Sequence, residues 1–244
     1  MTAAFVLVLA ILLLVNVWVH LGLRMAHLVT GPVAAAVLLL VARLAGLSWA
    51  ELGLARADLV PGLAYGAAAA GAIAVVYAVG VMVPLTRRAF HDTRYRVPMR
   101  AAVLTSLVTI PLGTVVFEEV AFRSVVWGML EHERGTAVAT VVSSALFGLW
   151  HVLPALDVAR TSTAIRGSGG PESRRVLMTV LGTVVFTAVA GLVFAELRRR
   201  SGSIIAPLGL HWATNGLAVV AAARVWKVSP PASGPTSPPA APPG

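Results

Sequence analysis

Seven apolar stretches, at 3–23, 28–44, 59–83, 101–130, 137–152, 176–194 and 204–225, leave this chain few folds to choose from. An α-helix of about 20 apolar residues crosses the hydrocarbon core of a bilayer, where no water is present to satisfy a free backbone group. The expected fold is therefore all-α, a polytopic membrane bundle of about seven transmembrane helices. Charge agrees: only 12% of the 244 residues are charged, against about a quarter in soluble domains.

The connections between the stretches differ in texture. The segment 48–58 is short and amphipathic, with Trp49 expected to anchor at the membrane interface. Gly62-x-x-x-Gly66 in the third stretch offers a small-residue face for close helix packing. Asn16 and His20 share a face of the first helix, as a packed polar pair. Residues 131–134 read as a polar turn, Pro154 as the stop of the fifth helix, and 156–175 as a long loop. Three consecutive arginines, Arg198 to Arg200, read as a basic turn. The Pro-rich end, 227–244, is expected to be an extended tail.

A formal charge of +9 invites a nucleic-acid reading, but the arginines sit between the apolar stretches. There they set topology and meet anionic headgroups, so no nucleic-acid partner is expected. Alternate connections hold twelve and six basic residues, which places the C-terminal end in the cytoplasm. Lys227 is the only lysine, a bias that points to a GC-rich genome. A multi-pass protein of a bacterial plasma membrane is expected. The absence of cysteine excludes disulfides, thiolate metal sites and cysteine nucleophiles.

Within the fourth stretch stand Glu118, Glu119 and Arg123. Each costs about 2.5–3.5 kcal/mol at the centre of a membrane helix, roughly 8–10 kcal/mol together before any partner is counted. Glu119 and Arg123 are four apart, the spacing of a helical ion pair, while Glu118 points about 100° away. One carboxylate can thus be neutralised and the other left for a different task. Two more polar groups fall in later helices: His151, four residues after Phe147, and His211, four before Asn215. Imidazole and carboxamide are expected to project together from that last helix. A single intramembrane cluster accounts for all of them.

In this order, Glu118-Glu119-x-x-x-Arg123, Phe147-x-x-x-His151 and His211-x-x-x-Asn215 resemble the three motifs of the CPBP family. That family comprises the CAAX prenyl endopeptidases and the bacteriocin-processing (Abi) intramembrane proteases. The resemblance covers roughly 52–215, within a catalytic membrane domain at 48–226 that follows the N-terminal transmembrane helices at 1–47. It implies hydrolysis of a peptide bond in a membrane-associated peptide or protein. Glu118 and His151 would hold and activate water, with Glu118 the general base. His211 and Asn215 would donate to the oxyanion, and Glu119, Arg123 and Phe147 would support them. The family is also called a metalloprotease: Glu118, His151 and His211 would make a ligand set for a divalent metal such as zinc. The same residues serve a metal-free mechanism equally. Two other classes fit intramembrane acids: a non-catalytic scaffold or regulator of the same fold, and a proton-coupled transporter. For the last, no convincing internal repeat is visible.

Overall fold

A computed structural model describes residues 1–21, 27–90, 96–161 and 170–228. The Pro-rich tail from 229, residues 91–95 of the basic loop and residues 162–169 of the expected 156–175 loop lie outside the described residues, as does the His20 side chain. The flanks of that expected loop are helical, belonging to Val152–Thr161 and Glu172–Ser201.

The described residues form helices and turns, with no strand. We number the main helices α1 (Thr2–Leu21), α2 (His27–Leu44), α3 (Leu59–Met82), α4 (Met99–Arg134), α5 (Thr136–Trp150), α6 (Val152–Thr161), α7 (Glu172–Ser201) and α8 (Ile205–Lys227). Among the described residues, six helical units are long and apolar enough to cross a membrane, and the shorter apolar helix 28–44 is a seventh apolar segment. The molecule is a helical membrane bundle. Its outward surface is apolar, as a lipid-facing surface must be: Leu13, Leu14, Val75 and Phe186 are all exposed.

The core lies where α1, α2, α4, α5 and α7 meet, built on Leu12, Leu38, Phe117, Phe122, Val125, Phe147 and Phe194. α7 packs along α5 and α6, while the first half of α8 packs on α3. The α3–α8 seam is made by the small residues at Gly62 and Gly66, both buried. A Cβ at Gly209 of α8 would lie 2.9 Å from the Gly66 Cα, so neither helix can carry a side chain there without moving apart.

α4 and α8 are not uniform. α4 widens into π-helical turns at Thr105–Thr109, Pro111–Val115 and Val120–Val126, with a short α-helical stretch, Val116–Glu119, between the last two. Pro111 has no N–H to continue the regular ladder, and wide turns on both sides absorb the defect. α8 has one such turn, Ala213–Leu217, directly after His211. Inserted π-turns of this kind are frequent at functional sites.

Several connections differ from expectation. α4 runs helically through Arg134, and the turn is Gly135 at φ 80°. α5 breaks at His151, not at Pro154. Pro154 falls in the first turn of α6, where a backbone N–H has no helical partner to lose. Arg198 is not a turn residue: α7 continues to Ser201 and is closed by left-handed Gly202. Arg198 is buried and donates to the carbonyls of Ala50 (3.2 Å) and Glu51 (3.0 Å).

That bond belongs to a folded cap formed by the 45–55 connection. Leu47 and Leu52 are completely buried there, while Trp49 is half exposed beneath the Arg43 guanidinium. Ser124 of α4 donates to the Leu52 carbonyl (2.6 Å), and the Ile204 N–H donates to the Gly53 carbonyl (3.1 Å). Ser48 and Glu51 close a reciprocal box, and His132 at the end of α4 meets Glu51 at 2.6 Å. The cap thus ties together the ends of α4, α7 and α8.

Candidate active site

The short α-helical stretch of α4 turns its two carboxylates in different directions. Glu119 is fully buried, and its Oε1 accepts from Nδ1 of His211 at 2.8 Å. Arg123, one turn on, places its guanidinium 3.4 Å from the same oxygen. That guanidinium is sandwiched between the rings of Phe147 (3.9 Å to the centroid) and Phe194 (4.8 Å). Aromatic faces attract a cation most when water is excluded, and here Arg123 is almost wholly buried. Glu119 and Arg123 cancel one another's charge.

Glu118 points the other way. Its Oε1 accepts from the indole Nε1 of Trp150 at 3.1 Å, and its Oε2 lies 3.7 Å from Nε2 of His211. His211 therefore lies between the two glutamates, hydrogen-bonded to Glu119. A carboxylate can only accept, so Nδ1–H donates to Glu119 and Nε2 faces Glu118. The imidazole is stacked on Phe194, ring centres 5.0 Å apart, which fixes its plane.

Glu118 also lines a cavity of about 270 Å³. His151, Trp150 and Asn215 share its wall, with Val15 and Val19 of α1 and Gly113 of α4. His151 sits at the α5–α6 break, and its Nδ1–H donates to the Phe147 carbonyl at 2.8 Å. That bond leaves Nε2 as the nitrogen free to accept. Asn16 of α1 donates to the Trp150 carbonyl at 2.8 Å, pinning the other end of the same residue.

His211 is not among the residues that line the cavity, although Asn215 is. A regular helix would project the two side by side. The π-turn at Ala213–Leu217 rotates Asn215 away, leaving His211 buried behind the glutamates and Asn215 exposed on the wall. Sequence reasoning missed Trp150, which read as part of an apolar helix end. A buried tryptophan usually gives its N–H to a partner, and a tryptophan beside His151 was the available signal.

The metal-ligand set fares differently. Among the described residues, no three His, Asp or Glu side chains are grouped to hold a metal ion. His211 spends Nδ1 on Glu119 and stands behind Glu118, while His151 is tethered to its own helix. The residues do not assemble the expected Glu118–His151–His211 site.

Residues 100–217 match a family model described as type II CAAX prenyl endopeptidase Rce1-like. This domain belongs to the CPBP family. The match runs from the start of α4 into the π-turn of α8, so it contains every motif residue on the cavity wall and behind it. No curated protein and no solved structure matches the chain. Three parts of the site's surroundings lie outside the matched CPBP segment: α1, which supplies Val15, Val19 and the Asn16 contact, α2, which supplies Gly31, and the 45–55 cap.

Proposed function

We propose that this protein is an intramembrane endopeptidase that cleaves a membrane-associated peptide or protein with water activated by Glu118. The observation that carries the reading is a buried carboxylate, Glu118, in the wall of a cavity it shares with His151 and Asn215. Neighbouring charge is already balanced within the Glu119–Arg123 pair, so Glu118 is the carboxylate left to take a proton.

In the proposed step, water in the cavity gives a proton to Glu118 as its oxygen attacks the scissile carbonyl. His151 accepts a hydrogen bond from that water at Nε2 and orients it. The Asn215 amide donates to the developing oxyanion, an interaction worth most where fixed donors replace bulk water. Glu118 then returns its proton to the leaving amine. His211 stands behind Glu118 with its Nδ1–H committed to Glu119, a positioning role, so the oxyanion falls to Asn215 rather than to His211. No step is routed through a metal.

The test is cleavage by purified protein in vesicles, using a library of membrane-anchored peptides. Glu118→Ala and His151→Ala are expected to abolish cleavage while the protein still folds. Full activity in either variant refutes the assignment. No cleavage by the wild type across the library, with intact folding, favours a non-catalytic scaffold.

A further inference from the structure

A second cavity, of about 380 Å³, lies where α4 begins and α8 ends, with Arg96, Pro98 and Met99 on one side and Ala223, Trp226 and Lys227 on the other. It brings two cations to one hollow. The helical segments packed around it, Met99–Leu104, Ala218–Val228 and Leu59–Met82, contain no carboxylate. Further positive charge stands on adjoining turns, at exposed Arg100 and Arg224.

Arg96 is held over the indole of Trp226, its guanidinium carbon 5.4 Å from the ring centre. The floor is apolar: Val97 and Met99 pack on the buried cluster of Ala102, Val219 and Ala223. Met99 begins one helix long enough to cross a membrane and Lys227 ends another. The cavity therefore stands at the level where hydrocarbon gives way to headgroups, the level at which tryptophan is enriched.

A ligand matching these walls carries negative charge at one end and hydrocarbon at the other. We propose that this cavity binds the phosphate of an anionic phospholipid between Arg96 and Lys227, with its acyl chains along the Val97–Met99–Ala223 wall. Free phosphate meets the cations but makes no use of the apolar wall. Basic hollows between transmembrane helices are known to take lipid headgroups in this way. The site is separate from the Glu118 cavity and does not depend on the proposed proteolysis.

The test is native mass spectrometry of the full chain in detergent, with phosphatidylglycerol, phosphatidylcholine or inorganic phosphate added. Wild type is expected to retain one phosphatidylglycerol in preference to phosphatidylcholine. Each cation near an anionic headgroup contributes about fivefold in affinity, so Arg96→Gln/Lys227→Gln is expected to weaken retention by roughly thirtyfold. Arg96→Lys/Lys227→Arg, which keeps both charges, retains the lipid, as does Arg199→Gln/Arg200→Gln, which removes two charges elsewhere. The proposal is overturned by equal loss in the Arg199/Arg200 control, by loss in the charge-keeping variant, or by equal retention of the two lipids. Displacement of phosphatidylglycerol by an equal concentration of inorganic phosphate also overturns it and assigns the site to the free ion.

Discussion

The indole Nε1 of Trp150 donates to Glu118 Oε1 across 3.1 Å, inside a buried site. A hydrogen bond to a charged group contributes about 1.5–3 kcal/mol, so its loss is worth at least about tenfold in the step that needs the carboxylate in place. Trp150→Phe keeps an aromatic ring against Phe117 and Phe122 and removes the donor. The expected result is a fall of tenfold or more in kcat for peptide cleavage, with KM little changed. A variant with wild-type kcat shows that the indole only fills space.

Removing Arg123 leaves Glu119 as an uncompensated buried charge. Breaking a buried pair in this way costs about 3–5 kcal/mol, whereas replacing both members by neutral groups costs far less. Arg123→Met is therefore expected to lower the unfolding temperature in detergent steeply. Glu119→Gln/Arg123→Met is expected to recover most of the loss, since a glutamine oxygen still accepts from His211. Equal destabilisation of the single and double variants contradicts the charge account.

The 45–55 cap carries its own acid dependence. Hydrogen bonds from the Ser48 hydroxyl and N–H, and then from His132, hold the Glu51 carboxyl down from 4.5 to about 2. A depressed carboxylate stabilises the fold fully above its unfolded value and loses that contribution as pH falls through the folded one. Wild type is thus expected to lose stability between pH 4.5 and about 2. Glu51→Gln starts less stable at pH 6, and the gap to wild type closes across that window. Melting curves at several pH values check this, and a gap that stays constant down to pH 2 rules the linkage out.

A mechanism built on Glu118 and unliganded histidines predicts that strong chelators leave cleavage intact. Dialysis against chelator, followed by metal analysis and assay of the same sample, measures this. Activity lost with the metal and restored by zinc alone would show that the two histidines regroup around an ion.

The bundle was legible because hydropathy reports directly on the bilayer, and the seven apolar stretches map onto α1–α5, α7 and α8. The Glu119–Arg123 pair was legible because it lies within four residues of one helix. What sequence could not give was whatever depends on departure from 3.6 residues per turn. The relation of His211 to Asn215 was read from regular spacing, and the π-turn between them separates their directions. Nor does sequence show which polar groups leave the surface. Arg198 is the first of three consecutive arginines, yet it alone of the three reaches the carbonyls of the cap. The position of Trp150 beside His151 hints at a polar role, but its partner is not known until the carboxylate facing it is located.

The central claim is that the Glu118 carboxylate takes a proton from water during peptide cleavage. Its most direct measurement compares the membrane peptidome of cells expressing Glu118→Gln with that of cells expressing the parent protein, at matched protein levels. The account predicts that a defined set of peptides cut next to membrane segments disappears, with the corresponding uncut precursors accumulating. Identical peptidomes, with the variant folded and present in the membrane, contradict it.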